Sequence, residues 1–169
     1  LKFAFGLLTP GLVFAWDGER FSKAIAAACP SDTELVVVEN APTGRKATAF
    51  AELEREPTPA VTAANAKVNG DTVAKFLFTS GSTGMPKGVP QTHGMMSATI
   101  AGGEGLRGEE PDPDVIPQSL EWMPWSHISA GNISFNGVLW GGGTVHLDEG
   151  KPLPGMFETT IKNLYEVSP

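Results

Sequence analysis

The sequence has one cysteine in 169 residues, so no internal disulfide can staple it and stability must come from a packed core. Such usage suits a reducing compartment, and a cytoplasmic protein is expected. Cys29 ends an alanine-rich helical run and reads as a small core residue rather than a nucleophile. No apolar run approaches the roughly 18 residues that span a bilayer, and no basic-then-apolar leader is visible, so no membrane partner is expected. Positive charge is scarce as well: the net charge of −7 argues against nucleic-acid binding. Internal repeats and low-complexity tracts are missing. One further absence is local. No acidic residue lies between Asp71 and Glu104, while Lys75 and Lys87 do, which makes a positive window in an acidic chain, suited to a small anion.

That window holds the most unusual stretch. The apolar run Val73-Ala74-Lys75-Phe76-Leu77-Phe78 reads as a buried strand leading directly into Thr79-Ser80-Gly81-Ser82-Thr83-Gly84-Met85-Pro86-Lys87-Gly88. Four hydroxyl side chains, three glycines and one lysine fall within ten positions. Glycine lets backbone N–H groups approach an anion, hydroxyls add donors, and lysine adds a mobile charge suited to phosphate. It is not a Walker loop, since Lys87 lies between Pro86 and Gly88 and no Ser or Thr follows it. Nor does a Gly-x-Gly-x-x-Gly open a helix here. A plain Gly/Ser linker would need neither Pro-Lys-Gly nor an apolar strand before it.

Around the loop, 41% apolar residues indicate an ordinary globular chain of about one domain. Thr9–Ala15 reads as a strand, Glu19–Cys29 as a helix stopped by Pro30, and Leu35–Val38 as a buried strand. That order implies a βαβ unit and a parallel component to the sheet, hence an α/β fold. A weak helix is expected over Thr48–Arg55 and a surface connection over Pro57–Asp71. Pro90 restricts a strand at Gly88-Val89 to an edge, and Thr92 can cap a helix from His93 towards Ala101. Gly102–Pro117, rich in glycine and proline, reads as an exposed loop. Leu120–Met123 reads as a strand, Gly131–Trp140 as a helix and Thr144–Leu147 as a strand. The apolar stripe Phe157, Ile161, Leu164 and Tyr165 needs a partner, and with no initiating methionine the chain is expected to be part of a longer protein.

A second cluster, Glu121-Trp122-Met123-Pro124-Trp125-Ser126-His127 through Gly131-Asn132, combines indoles, an imidazole and an amide. An indole offers an apolar wall, and an imidazole or amide one directional hydrogen bond. From residue type alone, Trp122 and Trp125 read equally as core, and His127 also as a structural histidine.

The ten-residue loop resembles the phosphate loop of adenylate-forming enzymes, the superfamily of acyl- and aryl-CoA synthetases, luciferases and peptide-synthetase adenylation domains. Within it, Phe76–Thr79, Thr92–Met96, Trp122–Asn132, Phe135-Asn136, Gly142–Thr144 and Asp148–Pro152 are similar to the feruloyl-CoA synthases, as is Leu8–Ala15. Pro90 and Ile128-Ser129-Ala130 depart from that pattern and leave the preferred acid open. The resemblance implies part of a large N-terminal adenylation domain over residues 1–169, with mixed and parallel sheets flanked by helices and without the C-terminal lid domain.

It further implies that a carboxylic acid, an aromatic one such as ferulate, attacks ATP to give an acyl-adenylate, which coenzyme A converts to a thioester. Thr79, Ser80, Gly81, Ser82, Thr83, Gly84 and Lys87 would hold the pyrophosphate portion. Magnesium would be bound with help from Thr83. Lys87 and His127 would take catalytic roles, and Trp125, His127 and Asn132 would line the acid site. The family's Tyr-Gly-x-Thr-Glu segment and ribose-binding aspartate are not found, so these residues alone are expected not to complete the reaction. Two other readings remain: a non-catalytic nucleotide-binding module, and an adenylation domain that loads a carrier protein.

Overall fold

A computed structural model describes residues 1–79, 84–107 and 115–168, and the chain divides into two units, Leu1–Lys67 and Val68–Pro169. Both mix helices with short sheets. Among the described residues no helix is long and apolar enough to cross a membrane.

In the first unit, helix α1 (Lys2–Leu8) precedes strand β1 (Leu12–Asp17), helix α2 (Ser22–Ala28), strand β2 (Glu34–Glu39) and strand β3 (Thr48–Ala49). The three strands are parallel in the order β1-β2-β3, with Leu12 opposite Glu34 and Val36 opposite Thr48. The expected βαβ unit is therefore present. Its core is Ala15 of β1, Ile25 of α2, Cys29, and Leu35 and Val37 of β2, so Cys29 does pack as a small apolar residue. Leu35 and Val37 share one face by the two-residue period of a strand, and α2 covers that face.

Helix α2 ends under a clamp that no local pattern announces. The Arg45 guanidinium donates to the carbonyls of Cys29 (2.8 Å), Pro30 (2.7 Å) and Thr33 (2.9 Å) and contacts Cys29 Sγ at 3.0 Å. It satisfies acceptors left unpaired where the helix stops. At the far end of β1, Asp17 accepts from Arg20 N–H and the Asn40 amide, which together hold its carboxyl below the usual range.

Three expectations in this unit change. Residues 48–55 form β3 and a 3₁₀ turn at Phe50–Leu53 instead of a helix, because Thr48 and Ala49 pair with Val36 and Val37. The connection after Pro57 contains helix α3 (Pro59–Asn65), which Pro59 can open because the first helical N–H needs no partner. Helix α1, which contains Gly6, carries no pattern that announced it.

The second unit opens with an antiparallel ribbon of β4 (Val73–Thr79) and β5 (Lys87–Thr92). Helix α4 (His93–Arg107) follows, with Thr92 Oγ1 accepting from Met95 N–H at 3.2 Å, as a cap should. Strand β6 (Gln118–Glu121) pairs in parallel with β7 (Thr144–Leu147) across a crossover containing a π-helical turn (Ser129–Ser134) and helix α5 (Phe135–Trp140). Helix α6 (Phe157–Val167) ends the chain.

Strand β4 is not buried as its composition suggested. Phe76 is 44% and Phe78 40% exposed, because β4 pairs only with β5 among the described residues and the face bearing these rings is uncovered. Pro90 does sit on an edge strand, opposite Phe76. Helix α4 runs past Ala101 through Gly102, Gly103 and Gly105 to Arg107, so the expected loop begins later; residues 108–114 lie outside the described set.

Asp148 ties α6 to the end of β7. Its carboxylate accepts from Gly150 N–H (2.8 Å), the Thr160 hydroxyl (2.7 Å) and the Asn163 amide (2.8 Å). A Cβ on Gly150 would lie 2.2 Å from Thr160 Oγ1 and 2.5 Å from its backbone nitrogen, so the tether requires glycine there. Burial pushes the Asp148 carboxyl up, but the three donors outweigh it and hold it below the ordinary range. A lowered folded value stabilises the protein above about pH 4, and that contribution is lost as pH falls through the depressed value. Asp148→Ala is expected to lower unfolding free energy at neutral pH by about 1–3 kcal/mol, the scale of losing charge-assisted hydrogen bonds. In urea titrations that difference should shrink towards zero in acid.

Candidate functional site

The ends of the phosphate-loop motif are set by strand pairing. In the β4–β5 ladder, Thr79 lies directly opposite Lys87, Leu77 opposite Val89, and Lys75 opposite Gln91. Directly opposed residues have Cα atoms about 4.5–5.5 Å apart, so Thr79 and Lys87 are held close together. Gly84 has φ +89°, a left-handed conformation that favours glycine. Thr79, Gly84 and Lys87 are all exposed. Ser80, Gly81, Ser82 and Thr83 lie outside the described residues.

Side chains two apart on a strand share a face. Lys75, Leu77 and Thr79 therefore lie on one face with their partners Gln91, Val89 and Lys87, and Phe76 and Phe78 lie on the other. The second cluster packs on the first of these faces. The Asn132 amide donates to Gln91 Oε1 at 3.2 Å, and the Lys75 ammonium lies 3.5 Å from where a Gly131 Cβ would be.

The Pro124–Asn132 segment is built from short-range hydrogen bonds. His127 N–H donates to the Pro124 carbonyl (2.9 Å), and Gly131 N–H to the His127 carbonyl (2.9 Å). Ser129 N–H donates to His127 Nδ1 at 3.2 Å, which assigns the proton of the neutral ring to Nε2. The exposed imidazole thus presents an N–H donor outward. The Trp125 ring centroid lies 4.7 Å from that of Phe135, tilted by 38°, while the indole stays 47% exposed. One side is pinned and the other is open, as an apolar wall requires.

Asn132 is placed differently from these two. It is only 4% exposed and faces β5, and its Oδ1 is buried without a hydrogen-bond partner among the described residues. The cluster also contains a buried carboxylate: Glu121, 7% exposed, accepts from Met123 N–H at 2.9 Å and shapes the exit from β6. His93, the first residue of α4, lines an open cleft of about 310 Å³ with Ser97, Asn136 and Trp140. His146 Nε2 pairs with Gln118 across β6 and β7 at 3.1 Å, away from these groups. Reading by composition missed Gln91 and Lys75 as contacts of the cluster; the period-2 face they share with Thr79 and Lys87 was the signal available.

Residues 6–165, nearly the whole chain, match the family described as AMP-binding enzyme. The chain belongs to that family. Among curated proteins, it is 43% identical over 56 residues to long chain acyl-CoA synthetase 8 of Arabidopsis thaliana, covering 33% of this chain and 7% of that protein. It is 45% identical over 53 residues to the NRPS-like tryptophan epimerase fscC of Fusarium equiseti, covering 31% and 4%.

Similar solved structures include the luciferase-like enzyme of the nonluminescent Zophobas morio mealworm, with TM-score 0.68 and 20% identity over 98% of this chain. ATP-bound MatB from Rhodopseudomonas palustris gives 0.61 and 20% over 98%. The McyG A-PCP complexed with phenylalanyl-adenylate gives 0.55 and 22% over 96%. The chain spans 36%, 30% and 22% of those three chains, respectively. These likenesses establish the fold, a mixed α/β arrangement that forms part of each of those larger chains.

The π-helical turn depends on one close approach. A Cβ on Gly131 would meet the Trp125 carbonyl oxygen at 2.2 Å, a backbone atom that no rotamer change can clear. Gly131→Ala is therefore expected to destabilise the protein by about 1–3 kcal/mol, the range for overpacking a tight site. The measurement is the urea midpoint, with Gly102→Ala, a helical glycine with nothing within 4 Å, as the comparison whose midpoint should not fall.

Proposed function

We propose that the complete protein carrying this chain activates a carboxylic acid with ATP, forming an acyl-adenylate and pyrophosphate, and then transfers the acyl group to coenzyme A. Residues 1–169 would form part of its large N-terminal adenylation domain. The observation that carries this reading is the shared ribbon face: Thr79 and Lys87, at the two ends of the phosphate-loop motif, lie on the side against which the His127 segment packs. Membership of the AMP-binding enzyme family supports the same chemistry.

In the first step a carboxylate oxygen attacks the α-phosphorus, and the bond to the β-phosphate oxygen breaks. Charge gathers on the departing pyrophosphate, so positioning and neutralisation are the main tasks. The Lys87 ammonium would meet that charge, with hydroxyl and backbone donors from Thr79, Ser80, Gly81, Ser82, Thr83 and Gly84. The His127 Nε2–H would donate to the acid's carboxylate and hold it in line, while the open face of Trp125 would contact its apolar body. An indole wall suits an aromatic acid, and ferulate or a related hydroxycinnamate is the proposed class. In the second step the coenzyme A thiolate attacks the acyl carbon and AMP leaves.

Among the described residues no three His, Cys, Asp or Glu side chains converge as metal ligands. Magnesium would therefore be held chiefly by phosphate oxygens and water, with Thr83 as its proposed protein ligand.

Acid-dependent ATP–pyrophosphate exchange by the complete protein, across aromatic, fatty and amino acids, tests the reading. Hydroxycinnamates should drive it. Exchange driven by amino acids alone would favour a carrier-loading adenylation domain, and ATP binding with no exchange on any acid would leave a nucleotide-binding module. Lys87→Ala is expected to slow exchange at least ~10²-fold, the scale of removing one preorganised donor. An unchanged rate would remove Lys87 from the mechanism.

A further inference from the structure

A buried side-chain amide normally has both its donor and its acceptor paired, and leaving one unpaired costs about 1–3 kcal/mol. Asn132 meets half of that requirement: its Nδ2 donates to Gln91 Oε1, and its Oδ1 is buried without a partner among the described residues. The direction of the bond is fixed from the other side. Gln91 Nε2 donates to the Pro90 carbonyl at 3.0 Å, which turns Gln91 Oε1 towards Asn132. A leucine, which has the same branching and number of heavy atoms, would remove the orphaned acceptor at 132, so on hydrogen bonding alone asparagine is the poorer residue. Its one bond joins two things. Gln91 is four residues along β5 from Lys87, on the same face, and Asn132 follows Gly131, whose N–H binds the His127 carbonyl.

Granted the acid-activating function on which this rests, we propose that Gln91 and Asn132 are a positioning pair that fixes the His127 turn, and so the acid site, against the phosphate-loop ribbon. Neither side chain touches the reacting atoms. Asn132 acts through His127 and Trp125, and Gln91 supplies the anchor. Strand β5 is held independently by its ladder with β4, so loss of the pair displaces the acid side and leaves the nucleotide side in place.

The test uses the complete protein and acid-dependent ATP–pyrophosphate exchange, with KM measured separately for acid and ATP. Asn132→Leu and Gln91→Ala should each raise the acid KM about tenfold, the size of one lost hydrogen bond with its partner stranded. The ATP KM should stay within about twofold. The double variant should match either single one, because both remove the same bond. Asn132→Leu should melt no lower than the wild type, which a merely structural role would not allow. Gln91→Glu keeps the acceptor and faces Lys75 across the ladder, so it should restore most of the acid KM lost in Gln91→Ala.

Additive effects, equal changes in both KM values, or a melting temperature that falls in step with activity would each overturn the pair. A wild-type protein inert with every acid would end the acid-activating reading and this one with it. An active wild type with additive variants would end only the positioning pair.

Discussion

The antiparallel pairing of β4 with β5 is the constraint on which the candidate site depends. Six residue pairs from Val73–Thr92 to Thr79–Lys87 fix where the phosphate-loop motif leaves the ribbon and where it returns. A lysine on a free loop would lose side-chain and backbone entropy each time it met an anion, together of order 2–4 kcal/mol. Lys87 has already had its backbone fixed by folding, as the first residue of β5. Only its side chain is left to order, and its charge is therefore delivered to one face and one end of the ribbon.

The same ladder gives direction to the local charge. Lys75 and Lys87 fall in the stretch from Asp71 to Glu104 that has no acidic residue between its ends, and both lie on the face turned to the His127 segment. Along the strands they are separated by four residues, roughly 13 Å. That exceeds the Debye length of about 8 Å at physiological salt, so the two charges act nearly independently where water lies between them. Lys87 is exposed and can meet a ligand directly. Lys75 is half-buried beside Gly131, and its charge is screened less by salt, contributing a standing positive potential beneath the π-helical turn.

How much of this was legible in the sequence follows from the range of each interaction. The βαβ unit could be read because Leu35–Val38 and the α2 stripe are local patterns, and the Thr92 cap could be read because capping acts within one turn. The Thr79–Gly88 stretch stood out by composition, since glycine, hydroxyl and lysine chemistry is concentrated in ten consecutive residues. Phe76 and Phe78 misled because a strand's apolar content does not say whether its face is covered. The π-helical turn was read as ordinary helix, since its extra residue per turn leaves no periodic trace over six positions. Arg45, sixteen residues from Cys29, and Asn132, forty-one from Gln91, act through contacts that only the fold brings about.

Two residues of that turn carry opposite demands. Gly131 is required by packing, since any side chain there meets the Trp125 carbonyl, whereas Asn132 is poorly served by packing and leaves an acceptor stranded. A local-stability rule would keep the first and replace the second. The turn makes sense when its neighbours are included: Gly131 lets the backbone close down on Trp125 and beneath it on Lys75, and that closeness brings Asn132 within 3.2 Å of Gln91. The π-helical geometry widens the turn enough to make both contacts at once. The close backbone approach and the orphaned acceptor therefore both fall where the segment bearing His127 meets the strand bearing Lys87, a junction whose geometry an acid-activating site would need to hold.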